Sequence, residues 1–129
     1  MAKILLVEDD PINLNKGMEL LKQLGHEVLP ATTGQEAAQV IRRLLPDAIL
    51  LDVMLPDTNG FDFAKKLKSH PRTQDVPIAY VTGRDNPEDF KEGFASGGKA
   101  YLTKPYSSTA LATVLQSLLM TKSPKREDI

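Results

Sequence analysis

The sequence predicts an α/β domain with a parallel sheet and helices on both faces, and three observations predict it. Apolar runs of four or five residues recur with little polar–apolar alternation, which suits strands covered on both faces. Longer segments between them carry apolar residues at helical spacing. The two kinds of segment alternate, strand then helix, five times along the chain.

The first strand is KILLV (3–7). Asp10-Pro11 then supplies an N-cap and a proline at the first helical position, and Leu14, Met18 and Leu21 form one face of the helix that follows. Gly25 ends that helix. EVLP (27–30) is a weaker second strand. Thr33-Gly34-Gln35-Glu36 matches the capping box T-x-x-E ahead of a face made by Ala37, Val40, Ile41 and Leu44. AILL (48–51) is the third strand, and Asn59-Gly60 is the turn that starts a helix marked by Phe63 and Leu67. PIAYV (77–81) is the fourth strand. Asn86-Pro87 repeats the cap-then-proline pattern before a helical face at Phe90 and Phe94. Gly93 inside that helix and Gly97-Gly98 at its end predict one of the less stable elements, since an interior glycine costs about 1 kcal/mol relative to alanine. AYLT (100–103) is the fifth strand. Ser107 or Ser108 caps a last helix with Leu111, Val114, Leu115 and Leu118 on one face. The tail KSPKREDI (122–129) is polar and mixed in charge, so residues 1–121 form the expected domain and 122–129 a frayed end or linker.

Composition narrows the function. A chain of 129 residues, 41% of them apolar, has room for one core and little for a second. The absence of cysteine excludes disulfides and thiolate metal sites and points to a reducing cytosol. A net charge of −1 argues against a strongly basic nucleic-acid surface. No apolar run approaches the ~20 residues that span a bilayer. The expectation is a cytoplasmic, monomeric, single-domain protein with no direct nucleic-acid or membrane contact. His26 and His70 lie near turns, and no His/Cys pattern suggests a transition metal.

The chemistry gathers where the strands end. Glu8 and Asp9 follow the first strand, Asp52 the third, Thr82 the fourth and Lys104 the fifth. In an open parallel sheet all carboxyl ends share one edge, where ligands bind. Two carboxylates ~5 Å apart repel by about 3 kcal/mol at an effective dielectric of about 20, so a partner is needed. Lys104 and a divalent cation are the available offsets, and ligands made only of oxygen favour a hard ion such as Mg²⁺. Acid, hard cation, amine and hydroxyl together suit a phosphoryl group: a carboxylate to attack phosphorus, positive charge for its oxygens, a hydroxyl to donate a hydrogen bond. Each residue alone has a plainer reading. Asp52 could be a strand-end acid, Glu8 and Asp9 helix-start charges, Thr82 a turn hydroxyl and Lys104 a solvated lysine. Their shared location decides otherwise. Asp10 fits capping, and Asp57 in PDTNG fits a loop acid.

On LLVEDD (5–10), LLDVMLPDTNG (50–60), VTG (81–83) and YLTKP (101–105), taken in order and spacing, the chain resembles a response-regulator receiver domain of two-component signalling, of the single-domain chemotaxis-regulator type. The resemblance spans roughly residues 2–121. It implies a doubly wound, flavodoxin-like, five-stranded parallel sheet in the order 2-1-3-4-5, flanked by five helices. It implies that Asp52 is phosphorylated, that Asp9 ligates Mg²⁺ directly with Glu8 acting through water, and that the Met54 carbonyl is a further ligand. Thr82 would bond the phosphoryl group, Lys104 would neutralise it, and Tyr101 would be the aromatic switch. The Lys104–Pro105 peptide would be cis. The implied partners are a histidine kinase or histidine phosphotransfer protein upstream and an unknown protein target downstream, reached through the fourth helix, fifth strand and fifth helix. The chain would be a stoichiometric phosphoacceptor rather than a turnover enzyme. Gly98-Lys99-Ala100 and Tyr106 depart from the commonest pattern near the usual partner surface, which leaves the partner open. Met54 and Arg84 are expected to set the lifetime of the phosphate.

Three other functions compete. A flavodoxin-like cofactor binder needs a hydroxyl- and glycine-rich phosphate loop after strand one, where this chain has EDDPIN. A phosphatase with an aspartate nucleophile wants a second acid at position 54, where Met54 stands. A docking module without phosphorylation would not need the full acid, threonine and lysine set.

Overall fold

The computed structural model describes residues 2–83 and 87–122. Five strands, β1 (Lys3–Val7), β2 (Glu27–Ala31), β3 (Ala48–Leu51), β4 (Ile78–Thr82) and β5 (Ala100–Thr103), alternate with five helices, α1 (Pro11–Gln23), α2 (Gly34–Arg43), α3 (Gly60–Lys68), α4 (Pro87–Ala95) and α5 (Ser108–Lys122). Neighbouring strands of the sheet pair in parallel, and the order is β2-β1-β3-β4-β5. The expected fold class and strand order are both present. None of the described helices is long and apolar enough to cross a membrane.

Strand side chains alternate between faces, so the central strands feed two cores. Leu5, Val7, Ile49, Leu51, Ile78 and Tyr80 pack with α2 and α3. Ile4, Leu6, Leu50, Ala79 and Val81 pack with α1 and α5. β3 and β4 are buried along their whole length, which explains their near-continuous apolar runs. β2 is half exposed and carries Pro30, which the edge of a sheet tolerates because it leaves one row of backbone donors unused.

The local signals for the helix starts hold with adjustments. Asp10 accepts from the Asn13 N–H, Asn59 from the Phe61 N–H and Ser107 from the Ala110 N–H. Gly25 sits just past α1 with φ +92, where a side chain would be strained. Thr33 accepts from the Glu36 N–H as expected, but the return bond differs: Glu36 takes the N–H and hydroxyl of Thr32, one residue earlier. β4 begins one residue later than the apolar run and takes in Thr82, which pairs with Thr103. Asn86 and Arg84 lie outside the described residues, as do positions 123–129 of the expected tail.

Two readings need correction. Phe94 does not face the core; it is 52% exposed. The inward side of α4 runs through Asp89 and Gly93, with Phe90 edge-on to Tyr101 at 4.5 Å. A side chain at Gly93 would meet the rings of Tyr80 at 3.1 Å and Tyr101 at 3.2 Å, so this glycine permits close packing of α4. Asp57 is more than a loop acid. Its carboxylate accepts from the N–H groups of Gly34 (2.8 Å) and Gln35 (2.9 Å), so it caps α2 from the loop after β3. These two bonds lower its pKa below the ordinary 3.8. The folded carboxyl then ionises at lower pH than the unfolded one. Its stabilising effect is complete above 3.8 and is lost as pH falls through the folded value. Asp57→Asn is therefore expected to lower Tm at neutral pH by an amount that shrinks in acid below 3.8. A thermal-denaturation series on both proteins checks this, and a gap unchanged in strong acid would contradict it.

Candidate functional site

Parallel pairing places the carboxyl ends of β1, β3, β4 and β5 on one rim, and the residues just beyond them meet there. Each of Glu8, Asp9 and Asp52 brings a carboxylate oxygen within 4.8 Å of the other two. Backbone bonds set this arrangement: the Glu8 N–H donates to the Ala31 carbonyl and the Asp52 N–H to the Val7 carbonyl. Glu8 and Asp52 are buried, at 4% and 5% exposure, while Asp9 faces solvent.

Lys104 crosses from β5 to bridge the two buried acids. Its Nζ donates to Asp52 Oδ2 at 2.9 Å and to Glu8 Oε1 in a short ion pair. The contact to Glu8 was not legible in the sequence, because it depends on how far the lysine reaches across the sheet. The other oxygen of Asp52, Oδ1, accepts from the Met54 N–H at 3.1 Å, and Glu8 Oε2 accepts from the Asp10 N–H at 3.3 Å. Thr82 ends β4 at 2% exposure, and its carbonyl accepts from the Lys104 N–H at 2.8 Å. It shares strand parity with Ile78 and Tyr80, on the face that packs against α2 and α3. Tyr101, half buried on β5, packs between the rings of Tyr80 (6.0 Å) and Phe90 (4.5 Å). The Lys104–Pro105 peptide is cis.

The titration behaviour follows from this crowding. Burial raises the Glu8 carboxyl above its ordinary 4.5; the hydrogen bond from Lys104 opposes that, and the Asp52 charge adds to it. Burial disfavours the Lys104 ammonium, but its hydrogen bonds to Glu8 and Asp52 outweigh burial and raise it above 10.5. One ammonium thus faces three acids, and the rim keeps an excess of negative charge. Donors made only of oxygen, two of the three acids being buried, fit a hard divalent cation such as Mg²⁺.

Two features keep the rim open and compact. Among the described residues, none lies within 4 Å of where a side chain at Gly83, next to Thr82, would project. Gly60 begins α3 directly against the backbone of Asp52, and a side chain there would lie 2.9 Å from Val53 Cα. The sequence presents Asn59-Gly60 only as a turn, yet Met54 pairs with Asn59 and ties that turn to the loop after Asp52. A cleft of about 300 Å³ beside Lys104 is lined by Asn13, Lys16, Leu20, Pro105 and Tyr106. Asn13 and Lys16 stand on the exposed side of α1, where helical periodicity offers no hint of a site.

Comparison with known proteins agrees with this geometry. The family model of the response regulator receiver domain matches residues 4–116. Protein PilH of Pseudomonas aeruginosa is 34% identical over 119 residues, which cover 92% of this chain and 98% of PilH. The chemotaxis protein CheY4 of Vibrio cholerae superposes with a TM-score of 0.87 at 33% identity, covering 92% of this chain and 99% of its own. The receiver domain of the sensor histidine kinase PA1611 of Pseudomonas aeruginosa has a magnesium ion coordinated in its active-site cleft; it superposes with a TM-score of 0.85 at 30% identity, covering 92% of this chain and 98% of its own. Against other curated relatives this chain spans about half of their length or less. A matching family model over most of the chain, a relative 34% identical along nearly its whole length and a shared fold lead to one conclusion: the chain belongs to the response-regulator receiver-domain family.

Proposed function

We propose that this chain is a phospho-accepting signalling module in which Asp52 takes a phosphoryl group from a histidine kinase or histidine phosphotransfer protein. The observation that carries the reading is Asp52 itself: buried, held by Lys104 on one oxygen and by the Met54 N–H on the other, beside Glu8 and Asp9. One Asp52 oxygen attacks phosphorus, the P–N bond to the donor imidazole breaks, and the imidazole keeps the electron pair. Lys104 shifts from pairing with carboxylates to neutralising the phosphoryl oxygens, and the Thr82 hydroxyl donates to one of them. Asp9, Glu8, Asp52 and the Met54 carbonyl would hold Mg²⁺. The chemistry Mg²⁺ supplies when bound is charge neutralisation at the phosphoryl oxygens. The cleft between α1 and Pro105 gives a donor side chain a route to the rim.

Phosphorylation then shifts an equilibrium of α4, β5 and α5. The shift is limited to the difference in how the phosphoryl group interacts with the two states. Thr82 moving inward vacates space for Tyr101, whose ring lies against Phe90 of α4, so α4, β5 and α5 form the face that changes for a downstream protein. Residues 1–121 act as the receiver unit, monomeric and cytoplasmic, and the transfer is stoichiometric rather than turnover on an external metabolite. The test is amide hydrogen exchange with and without acetyl phosphate and Mg²⁺. Phosphorylation is expected to change protection across α4 and β5 in the wild type. Thr82→Ala is expected to accept phosphoryl yet lose that change. A Thr82→Ala protein with the full wild-type response would remove Thr82 from the mechanism.

A further inference from the structure

We infer that the groove between α2 and α3, away from the acid cluster, binds a small organic anion with an apolar body. The groove encloses about 550 Å³, within the range of roughly 300–1,000 Å³ typical of small-molecule sites. Its floor is apolar. Phe63 and Leu67 keep 7% and 8% of their surface exposed, whereas Phe61 and Ala64 of the same helix keep none. These exposed edges, with Ile41 and Ala38 of α2, line the groove. Its rim is basic. Arg42, Lys66 and Arg72 line it, all exposed, and among the described residues none of them forms an ion pair. Among the described residues Asp57 is the only acid lining the groove, and its carboxylate is committed to the N–H groups of Gly34 and Gln35.

Three unpaired cations around an apolar floor, on a chain whose net charge is −1, complement an anion and not a cation. Arginine forks match phosphate and carboxylate oxygens, and an apolar body would cover the Phe63 and Leu67 edges. The concave shape and limited volume favour a small molecule over a nucleic-acid strand or a second copy of this chain.

The test is a chemical-shift titration of the isotope-labelled chain with naphthyl phosphate, run beside inorganic phosphate and repeated on the double variant Arg42→Gln/Lys66→Gln. Both substituted side chains are exposed, so the fold is kept. Saturable shifts are expected for amides in 34–42 and 63–73, with inorganic phosphate far weaker and the double variant weakened about tenfold or more. Shifts confined to the surroundings of Asp52 and Lys104 would overturn the inference. So would inorganic phosphate binding as well as naphthyl phosphate, an unchanged affinity in the double variant, or no saturation at all.

Discussion

Replacing Lys104 by alanine is expected to destabilise the Mg²⁺-free protein by about 3–5 kcal/mol near neutral pH, the cost of breaking a buried ion pair by removing one partner. Lys104 holds both buried carboxylates, Glu8 and Asp52, so its loss leaves two uncompensated charges rather than one. The pH dependence has a definite sign. Glu8 already has a pKa above 4.5 in the folded protein, and without Lys104 it rises further. As pH falls toward 4.5 the folded variant takes up protons and sheds its repulsion, so the gap to wild type narrows in acid. Lys104 itself, raised above 10.5, stabilises fully below that value and loses its effect as pH rises through the folded pKa. Added Mg²⁺ should recover part of the deficit, because it supplies positive charge to the same acids. Urea unfolding near neutral pH and in mild acid, with and without Mg²⁺, reads all of this. A loss below about 1 kcal/mol, the level of an exposed pair, or a gap that fails to narrow in acid would contradict it. Phosphoryl acceptance should fall as well, since the remaining donors cannot replace the ammonium.

Gly98→Ala is the second large effect, with an expected cost of about 1–3 kcal/mol or somewhat more from overpacking. A methyl at Gly98 would lie 2.9 Å from Tyr80 Cδ2 and 3.1 Å from the Gly93 carbonyl. The Tyr80 ring has nowhere to go. Phe61 meets it edge-on at 5.0 Å and Tyr101 lies at 6.0 Å. Its hydroxyl bonds Ser96 at 2.5 Å, and Ser96 in turn donates to the Gly93 carbonyl. Gly93, Ser96 and Gly98 thus form a seat for one buried tyrosine, and the seat holds the end of α4 against β4. Shrinking the tyrosine should relieve the clash, so Tyr80→Leu combined with Gly98→Ala is expected to cost less than the sum of the single substitutions. A double-mutant cycle measures this coupling, and strictly additive losses would show that the two residues do not compete for space.

The same pair shows where the sequence is readable and where it is not. Strand ends are legible where the strands are central and buried on both faces, so that β1 and β3 stop abruptly at the polar residues Glu8 and Asp52; Lys104 follows the half-buried edge strand β5 and is marked only by its place after the last apolar run. Caps at Asp10 and Thr33 are legible because each bond spans three residues. The cap made by Asp57 is not legible, because its partners, Gly34 and Gln35, lie over twenty residues away. Phe94 points away from the core because the inward face of α4 carries a glycine where a large apolar residue would mark it. The glycines of α4 look like weak points in a propensity scale, but they make room for Tyr80 and Tyr101, and packing of that kind cannot be read from local composition.

The central claim is that clustered acids, offset by Lys104 and a divalent cation, make Asp52 chargeable. Its most direct test is mass spectrometry of the intact wild-type and Asp52→Asn chains after incubation with acetyl phosphate, with and without Mg²⁺, followed by peptide mapping. The predicted result is one phosphoryl group per wild-type chain, carried on the peptide containing Asp52 and formed only with the metal, and none on Asp52→Asn. Equal modification without Mg²⁺, modification at another residue, or none under any condition would contradict it.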